Sequence, residues 1–300
     1  MATDLQRSRE IDQLLRSIEP KLQKAFKTGL SSIASDISLS EIEQAVISGD
    51  TSRAIGLVND LLVAGAFLEF NREIQNSVQA GGDIAAKWAS ADKIVFQLNV
   101  TESNTARFIN SYQANKVREV TNDLQNVLGE MARQGTIAGE NPRKVALRIR
   151  ESIGLTLKQE QAVRNFERML RDLDRDALNR ALRDRRFDRT VIRAIADREP
   201  LTENQIQRMV SKYRSRFIDH RARNIARTEA IRLVSTGQQQ FWDQAINQGM
   251  VERERLVRKW IPTFDGRLRE AHAAIPRMNP DGVGMDEPFK TPLGPLMYPR

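Results

Sequence analysis

Apolar residues recur three and four positions apart along most of this chain, which is the spacing of one face of an α-helix. Aromatic residues make up only 6% of the chain, so its core must consist mainly of aliphatic side chains. That composition favours helices over a β-sandwich or barrel, and the sequence predicts a mainly α fold. Clear examples of the helical spacing are Ile11, Leu14, Leu15 and Ile18; Val145, Ile149 and Ile153; Val163, Phe166, Leu170 and Leu173; and Ile206, Met209, Val210, Tyr213 and Phe217.

Two helix starts carry matching capping residues. Thr156 is followed three residues later by Gln159, and Thr202 by Gln205. In such a capping box the threonine hydroxyl accepts from one backbone N–H of the first turn, and the glutamine side chain accepts from the N–H of the threonine. The sequence therefore predicts two similarly built helices on either side of the stretch 171–199, which is rich in arginine and aspartate.

Two other features concern the helices of the first third. The apolar run at residues 54–70 is short and contains Asn59 and Asp60, so we predict a core helix there and no stable membrane span. The pair Gly81 and Gly82 predicts a helix break, because glycine destabilises a helix interior.

One segment alternates with the period of a β-strand. In residues 93–101, the apolar side chains of Ile94, Phe96, Leu98 and Val100 share one face. Because a single strand is not stable alone, we expect a partner strand, with residues 259–263 as the candidate.

Charge is distributed unevenly along the chain. Residues 1–100 carry 10 Lys+Arg and 13 Asp+Glu, a net charge of −3, whereas residues 143–232 carry 24 and 13, a net charge of +11. The basic stretch predicts binding to the phosphates of double-stranded DNA without sequence preference. The alternative is that these cations pair with carboxylates on solvated helix faces. The predicted phosphate contacts are Arg143, Lys144, Arg183, Arg185, Arg186, Arg189, Lys212, Arg214 and Arg216.

The residue inventory leaves little material for catalysis. The chain has no cysteine and only two histidines, so thiolate chemistry and a histidine-based zinc site are not expected. It also has no glycine-rich phosphate loop. The sequence predicts no cofactor, no metal site and no catalytic residue.

The first of two distinctive motifs occupies residues 221–232, Arg-Ala-Arg-Asn-Ile-Ala-Arg-Thr-Glu-Ala-Ile-Arg. On a helix, Ala222, Ile225, Ala226 and Glu229 share one face, and the small residues permit close packing. A carboxylate on that face would be buried and would need a cation such as Arg232.

The second motif occupies residues 260–272, from Trp260 to His272. Asp265 and Gly266 predict a turn, after which a short helix should begin and bring His272 within reach of Asp265 or Thr263. The following tail contains many prolines and glycines, which predicts an extended, turn-rich segment.

These motifs resemble the Mu F-like family of tailed-phage head-morphogenesis proteins. The family pattern R-A-x-x-I-A-R-T-E matches residues 221–229, and W-x-x-x-x-D-x-R-x-R-x-x-H matches residues 260–272. The family often has a short cysteine-containing segment after the tail, which this sequence lacks. The residues that we assign to a structural polar motif are Arg221, Arg227, Thr228, Glu229, Arg232, Trp260, Asp265, Arg267, Arg269 and His272.

The resemblance implies a minor virion protein, found in the host cytoplasm during assembly and then at the portal vertex or in the capsid interior. It implies the portal protein, capsid or other internal head proteins, and viral double-stranded DNA as partners, with the oligomeric state set by the portal or virion. It also implies a head-morphogenesis domain at 93–300. That domain would comprise a helical middle (104–246) and a small α+β module (250–300) ending in the extended tail. Residues 1–92 carry no motif of the family, but their acidic, helical character suits docking onto a partner surface.

Two alternatives differ in function. The chain could be an internal protein ejected with the genome, contacting a membrane through the helices around residues 54–90. It could instead be a nuclease or nucleotide-acting enzyme that uses Asp265 and His272. The shortage of a second base or carboxylate cluster favours a protein that is not an enzyme.

Overall fold

A computed structural model of the chain describes residues 4–262 and 269–297. Within these ranges nearly all regular structure is helical, which confirms the predicted mainly α fold. The helices are α1 (Asp4–Asp36), α2 (Leu39–Ser48), α3 (Thr51–Gly56), α4 (Asp60–Ala66), α5 (Leu68–Ala91), α6 (Ser103–Ile137), α7 (Pro142–Glu151), α8 (Leu157–Arg171), α9 (Asp188–Asp197), α10 (Glu203–Asn247) and α11 (Glu270–Met278), with 3₁₀ turns at Arg175–Asn179, Arg185–Phe187 and Arg253–Arg255 and strands β1 (Val257–Arg258) and β2 (Val283–Gly284).

The two predicted capping boxes are confirmed. The Thr156 hydroxyl accepts from the backbone N–H of Gln159, and the Gln159 side chain accepts from the N–H of Thr156 at 3.0 Å. The same exchange joins Thr202 and Gln205, with distances of 3.3 and 2.8 Å. Local side-chain chemistry therefore sets the start of both α8 and α10.

The prediction of one continuous helix over residues 54–70 was wrong, although the segment does contribute to the core. It is divided between α3, α4 and the beginning of α5. Asn59 is the reason for the second start, because its side chain accepts from the backbone N–H of Leu62 at 2.9 Å and so caps α4. Phe67 and Phe70 from this segment pack edge-to-face with Phe26.

The predicted break at Gly81 and Gly82 was also wrong, because both residues lie inside α5. A Cβ atom at Gly81 would come within 2.2 Å of the Val234 carbonyl oxygen, and one at Gly82 within 2.5 Å of the Leu98 side chain. Close packing against α10 at Gly81 and against Leu98 at Gly82, not a change of backbone direction, is the physical reason for the two glycines.

Residues 93–101 do not form the predicted strand, and residues 259–263 are not their partner. Residues 94–99 belong to no helix or strand, but the predicted facing is confirmed, with Leu98 buried and Val95, Gln97 and Asn99 exposed. A side chain takes the place of a neighbouring strand: the Gln244 amide accepts from the Asn99 N–H at 3.0 Å and donates to the Asn99 carbonyl at 2.8 Å. The small sheet is instead formed by β1 and β2, antiparallel, with Val257 opposite Gly284.

The chain divides into two compact units, each assembled from separate stretches. Unit 1 comprises Met1–Gln23, Asn71–Ser111 and Ile225–Arg300, and unit 2 comprises Lys24–Phe70 and Tyr112–Asn224. The division predicted at residues 92 and 93 falls inside unit 1. In unit 1 the described core includes Ile74, Val78, Leu233 and Phe241. In unit 2, one core cluster joins α8, α9 and the first part of α10 through Phe166, Leu170, Val191, Met209 and Tyr213.

No single helix in the described ranges is long and apolar enough to cross a membrane. Taken together, the stretches Thr51–Ala66 and Leu68–Ala91 meet that criterion by length and composition, with a bend of 45° between them.

Candidate functional site

The first motif lies in the middle of α10, a helix of 45 residues. The predicted inward face is confirmed, because Ala222, Ala226 and Glu229 are buried and Ile225 is half-buried. Thr228 and Arg232 are exposed, and Arg227 is half-buried. The motif is therefore part of a packed helix whose apolar face is interrupted by one carboxylate.

Arg221 is a buried structural residue in unit 2. Its guanidinium donates to the Gly154 carbonyl at 2.9 Å, forms an ion pair with Asp123, and lies 6.0 Å from the centre of the Phe26 ring. Gly154 has φ +99°, and a Cβ there would come within 2.7 Å of Leu30, so a glycine is required where the arginine binds. Arg221 thereby connects three elements that are far apart in sequence.

Glu229 is the one carboxyl of the motif, and its pKa is strongly shifted. Its side chain is on the buried face of α10 in unit 1, where only 4% of the residue is exposed. Burial raises the pKa of Glu229 to about 7, and the Arg232 guanidinium, the predicted cation, acts in the opposite direction. Glu229 is thus poised to change its protonation state near neutral pH.

The second motif can be described only in part, because Asp265 and Arg267 fall outside the described residues. Trp260 packs edge-to-face with His272 at 5.9 Å and with Phe289 at 5.4 Å between ring centres. Arg269 is exposed, and its backbone carbonyl accepts from the N–H of His272 at 2.9 Å. His272 is therefore held by helix α11 and by an aromatic contact, while the predicted contact with Asp265 stays a prediction.

Arg258 is a second structural arginine, and it lies between the two motifs that carry the family resemblance. Its guanidinium donates to the carbonyls of Gly284 (3.2 Å), Met297 (2.7 Å) and Glu287, and lies 5.3 Å from the centre of the Phe289 ring. Three carbonyls from the tail thus converge on one side chain. No spacing pattern predicts this role, because the residue stands out only as a cation in a short apolar run.

The predicted phosphate contacts fall into three groups. Four are exposed and have no ion pair with a described residue, four are ion-paired, and one is buried. The ion-paired group shows that the alternative of mutual neutralisation holds for part of the basic stretch. The first group is Lys144, Arg185, Arg189 and Lys212; the second is Arg143 with Glu43, Arg183 with Asp188, and Arg186 and Arg216 with Asp184; the third is Arg214.

Arg214 cannot contact DNA in this conformation, and its assignment as a phosphate contact was wrong. The residue is only 4% exposed, and its guanidinium is 2.5 Å from the Glu151 carboxylate. It also lies near the fully buried Glu160, which accepts a hydrogen bond from the Ser152 hydroxyl at 2.7 Å. Burial raises the pKa of Glu160, and Arg214 opposes that shift. This internal cluster could not be recognised from the spacing of the charges.

Asp184 organises the paired part of the basic stretch. Its side chain is only 2% exposed and caps the 3₁₀ turn at Arg185–Phe187. Hydrogen bonds from Arg186, together with the charge of Arg216, lower the pKa of Asp184 to about 2. Arg186 and Arg216 are therefore held by a carboxylate and are poorer phosphate ligands than the four free cations.

Unit 1 also contains a polar cleft of about 340 Å³, which the sequence did not predict. Its charged lining residues are Glu102, Asp243, Arg253 and Asp286, and the rest of the lining is asparagine and glutamine. Burial raises the pKa of Asp243, whereas the backbone N–H groups at the start of α6 lower that of Glu102. Across residues 4–262 and 269–297, no three acidic or histidine side chains are grouped to hold a metal ion.

Neither motif leads to a known relative of this chain. Comparisons of the chain with models of protein families, with curated proteins and with solved structures find no match. The geometry of the described residues and the resemblance of the two motifs are therefore the basis for a functional assignment.

Proposed function

We propose that this chain is a minor structural protein of a tailed-phage virion, associated with the portal or the capsid interior, and that it acts in head assembly and in DNA packaging or delivery. The observation that carries the proposal is the structural use of the first motif. Arg221 binds a backbone carbonyl and a carboxylate inside unit 2, and Glu229 lies on the buried face of α10. Side chains engaged in this way support a scaffold better than a reaction centre.

DNA contact is the second part of the proposal, and it rests on unit 2. Lys144, Arg185, Arg189 and Lys212 are exposed and form no ion pair with a described carboxylate, although the charge of Lys144 acts on Glu203. Such cations bind phosphates by displacing counterions, which requires no base contact. Binding of this kind suits a protein that meets packaged DNA of any sequence.

The position of the protein in the particle tests the structural part directly. Helix α10 has 45 residues and should be about 68 Å long, so it is a recognisable marker in a reconstruction of the virion without imposed symmetry. We expect its density at the portal vertex or on the inner capsid wall, and co-purification of the full chain with the portal protein. Absence of the protein from purified virions would refute the proposal.

An enzyme remains the competing class, and one assay separates the two. His272 is half-buried against Trp260, and we expect the purified chain to lack nuclease activity with Mg²⁺. If the chain cleaves nucleic acid, and if His272→Ala abolishes cleavage without lowering the melting temperature, the chain is an enzyme. His220→Ala is the matched control, because His220 is exposed on α10.

A further inference from the structure

Opposite charges in residues 183–198 of unit 2 are sorted by depth. The segment contains six arginines and three aspartates, a net charge of +3. The side chains of Asp184 and Asp188 are only 2% and 26% exposed, and each is bound by an arginine of the same segment. Arg185 and Arg189, in contrast, are exposed and form no ion pair with a described carboxylate. The outer surface of the segment is therefore more basic than its composition suggests.

Helix α9 presents much of this surface as two rows of side chains. Its inner face is buried in the core of unit 2. On the opposite face, Arg189 and Arg193 form one row at a spacing of four residues, and Ile192 and Ala196 form a second row beside it. Ile192 is 54% exposed, although it is a large aliphatic residue. The exposed face of α9 thus places arginines directly next to aliphatic groups, with no carboxylate in either row.

Arg193 was not among the predicted DNA contacts, but the structure leaves it available. Its Nε atom lies 3.4 Å from Oδ2 of Asp197, one helical turn away, and the two side chains are 85% and 48% exposed. An ion pair this open to solvent contributes little to stability. Arg193 can therefore exchange Asp197 for another hydrogen-bond acceptor at low cost.

The two rows match the chemical groups that DNA presents in its major groove. A helix with its side chains is about 10–12 Å across, and the groove is about 12 Å wide. Arginine binds the guanine edge in this groove, and aliphatic side chains contact the thymine methyl group, which only this groove displays. A surface that met phosphates alone would gain nothing from the aliphatic row.

We propose that the exposed face of α9 lies in the major groove of double-stranded DNA, with Arg189 at a phosphate, Arg193 at a guanine edge, and Ile192 and Ala196 against thymine methyl groups. The inference rests on the DNA contact proposed above and adds base contacts to it. A membrane does not fit this face, because binding to a bilayer scales with buried apolar area and the face has one large aliphatic side chain. An acidic protein is the other possible occupant, and the test distinguishes it.

The test uses the full chain and three fluorescein-labelled duplexes of one mixed sequence, with binding followed by fluorescence anisotropy. The first has ordinary bases, the second has uracil in place of thymine, and the third has glucosylated 5-hydroxymethylcytosine in place of cytosine. All three carry the same phosphates. We expect the uracil duplex to bind about fourfold more weakly, because a methyl contact is lost. The glucosylated duplex should bind more weakly by about tenfold, because its sugars occupy the major groove.

Two variants of α9 test the two rows. Ile192→Ala should abolish the difference between the thymine and uracil duplexes, whereas Ile137→Ala, at an exposed position of α6 in the same unit, should keep it. Arg193→Gln should weaken binding of the unmodified duplex by about tenfold and affect the glucosylated duplex little, because the groove is already blocked there. Arg53→Gln, exposed on α3, is its matched control and should change neither. All four side chains are exposed, so the melting temperature should stay the same in each variant.

Three results would overturn the proposal. Equal binding of all three duplexes would show that the chain contacts phosphates only, and the DNA contact of the proposed function would stand. No binding of the unmodified duplex at low salt would remove both the groove contact and the DNA contact. Binding of labelled polyglutamate as tight as that of the duplex would assign the face of α9 to an acidic protein. The first result therefore separates failure of this inference from failure of the proposed function.

Discussion

Gly81 of α5 and Gly237 of α10 mark the point where these two helices cross in unit 1 without intervening side chains. A Cβ atom at Gly81 would lie 2.2 Å from the Val234 carbonyl oxygen, and one at Gly237 would lie 1.9 Å from the Val78 carbonyl oxygen. Real Cβ atoms do not approach backbone oxygens so closely. Both positions therefore require glycine if the helices are to keep this separation.

Gly81→Ala and Gly237→Ala should each destabilise the fold, by about 2–4 kcal/mol, because the methyl group must push two backbones apart. Urea denaturation followed by circular dichroism measures the change. Gly65→Ala is the matched control, since Gly65 lies in α4 with no atom within 4 Å of an added Cβ. That substitution should stabilise by about 0.5–1 kcal/mol through helix propensity. Equal effects at Gly65 and Gly237 would contradict the close crossing.

Arg221→Lys should cost about 1–3 kcal/mol of folding stability, because an ammonium group cannot reproduce the two-directional contact with Gly154 and Asp123. DNA affinity should stay within twofold of the wild type. Arg223→Lys, at an exposed position of the same helix, should change neither quantity. A loss of DNA binding at unchanged stability would show instead that Arg221 is a phosphate ligand.

Stability should depend on pH through Glu229. The unfolded chain releases this proton near pH 4.5, whereas the folded chain holds it up to about pH 7. The folded state binds more protons in this window, so its stability falls as pH rises from 4.5 to 7, by about 3 kcal/mol at most. Glu229→Gln should remove this fall. Glu254→Gln, at an exposed site, should leave the pH profile of the melting temperature unchanged.

DNA binding should be weak and strongly dependent on salt. With four free cations at phosphates, the logarithm of the binding constant should fall with the logarithm of salt concentration at a slope of about −3.6, or about a hundredfold between 50 and 200 mM. Neutralising Lys144, Arg185, Arg189 or Lys212 with glutamine should each reduce the slope by about 0.9. Lys21→Gln on α1 is the control and should leave the slope unchanged. A slope that stays unchanged in all four variants would show that these residues do not contact DNA.

Local rules predicted the features that depend on a few consecutive residues. The capping boxes at Thr156 and Thr202, and the buried face of α10 that carries Glu229, are confirmed. In each case the determining groups are within about two helical turns, where geometry follows from spacing alone. Residues 54–70 show where prediction from spacing fails, because the side chain of Asn59 was sufficient to begin a new helix within an apolar run.

The errors share a different cause, which is contact between distant residues. The alternation at 94–100 correctly predicted which side chains face inward, yet Gln244, far along the chain, satisfies the backbone of Asn99 instead of a strand. Likewise, glycine is needed at position 81 because the Val234 carbonyl leaves no room for a Cβ atom, and not because the chain turns there. The burial of Arg214 beside Glu151 and the three carbonyls around Arg258 also depend on tertiary contacts that no local pattern encodes.

The Gln244 clamp on Asn99 also has an entropic consequence. Fixing the backbone of one residue costs about 1–2 kcal/mol, so a segment without regular structure stays ordered only where contacts offset that cost. Residues 94–98 have already met that cost during folding, through Gln244 at one end and Phe96 packing on α10. The conformation of residues 94–98 therefore depends on α10, because both contacts come from that helix.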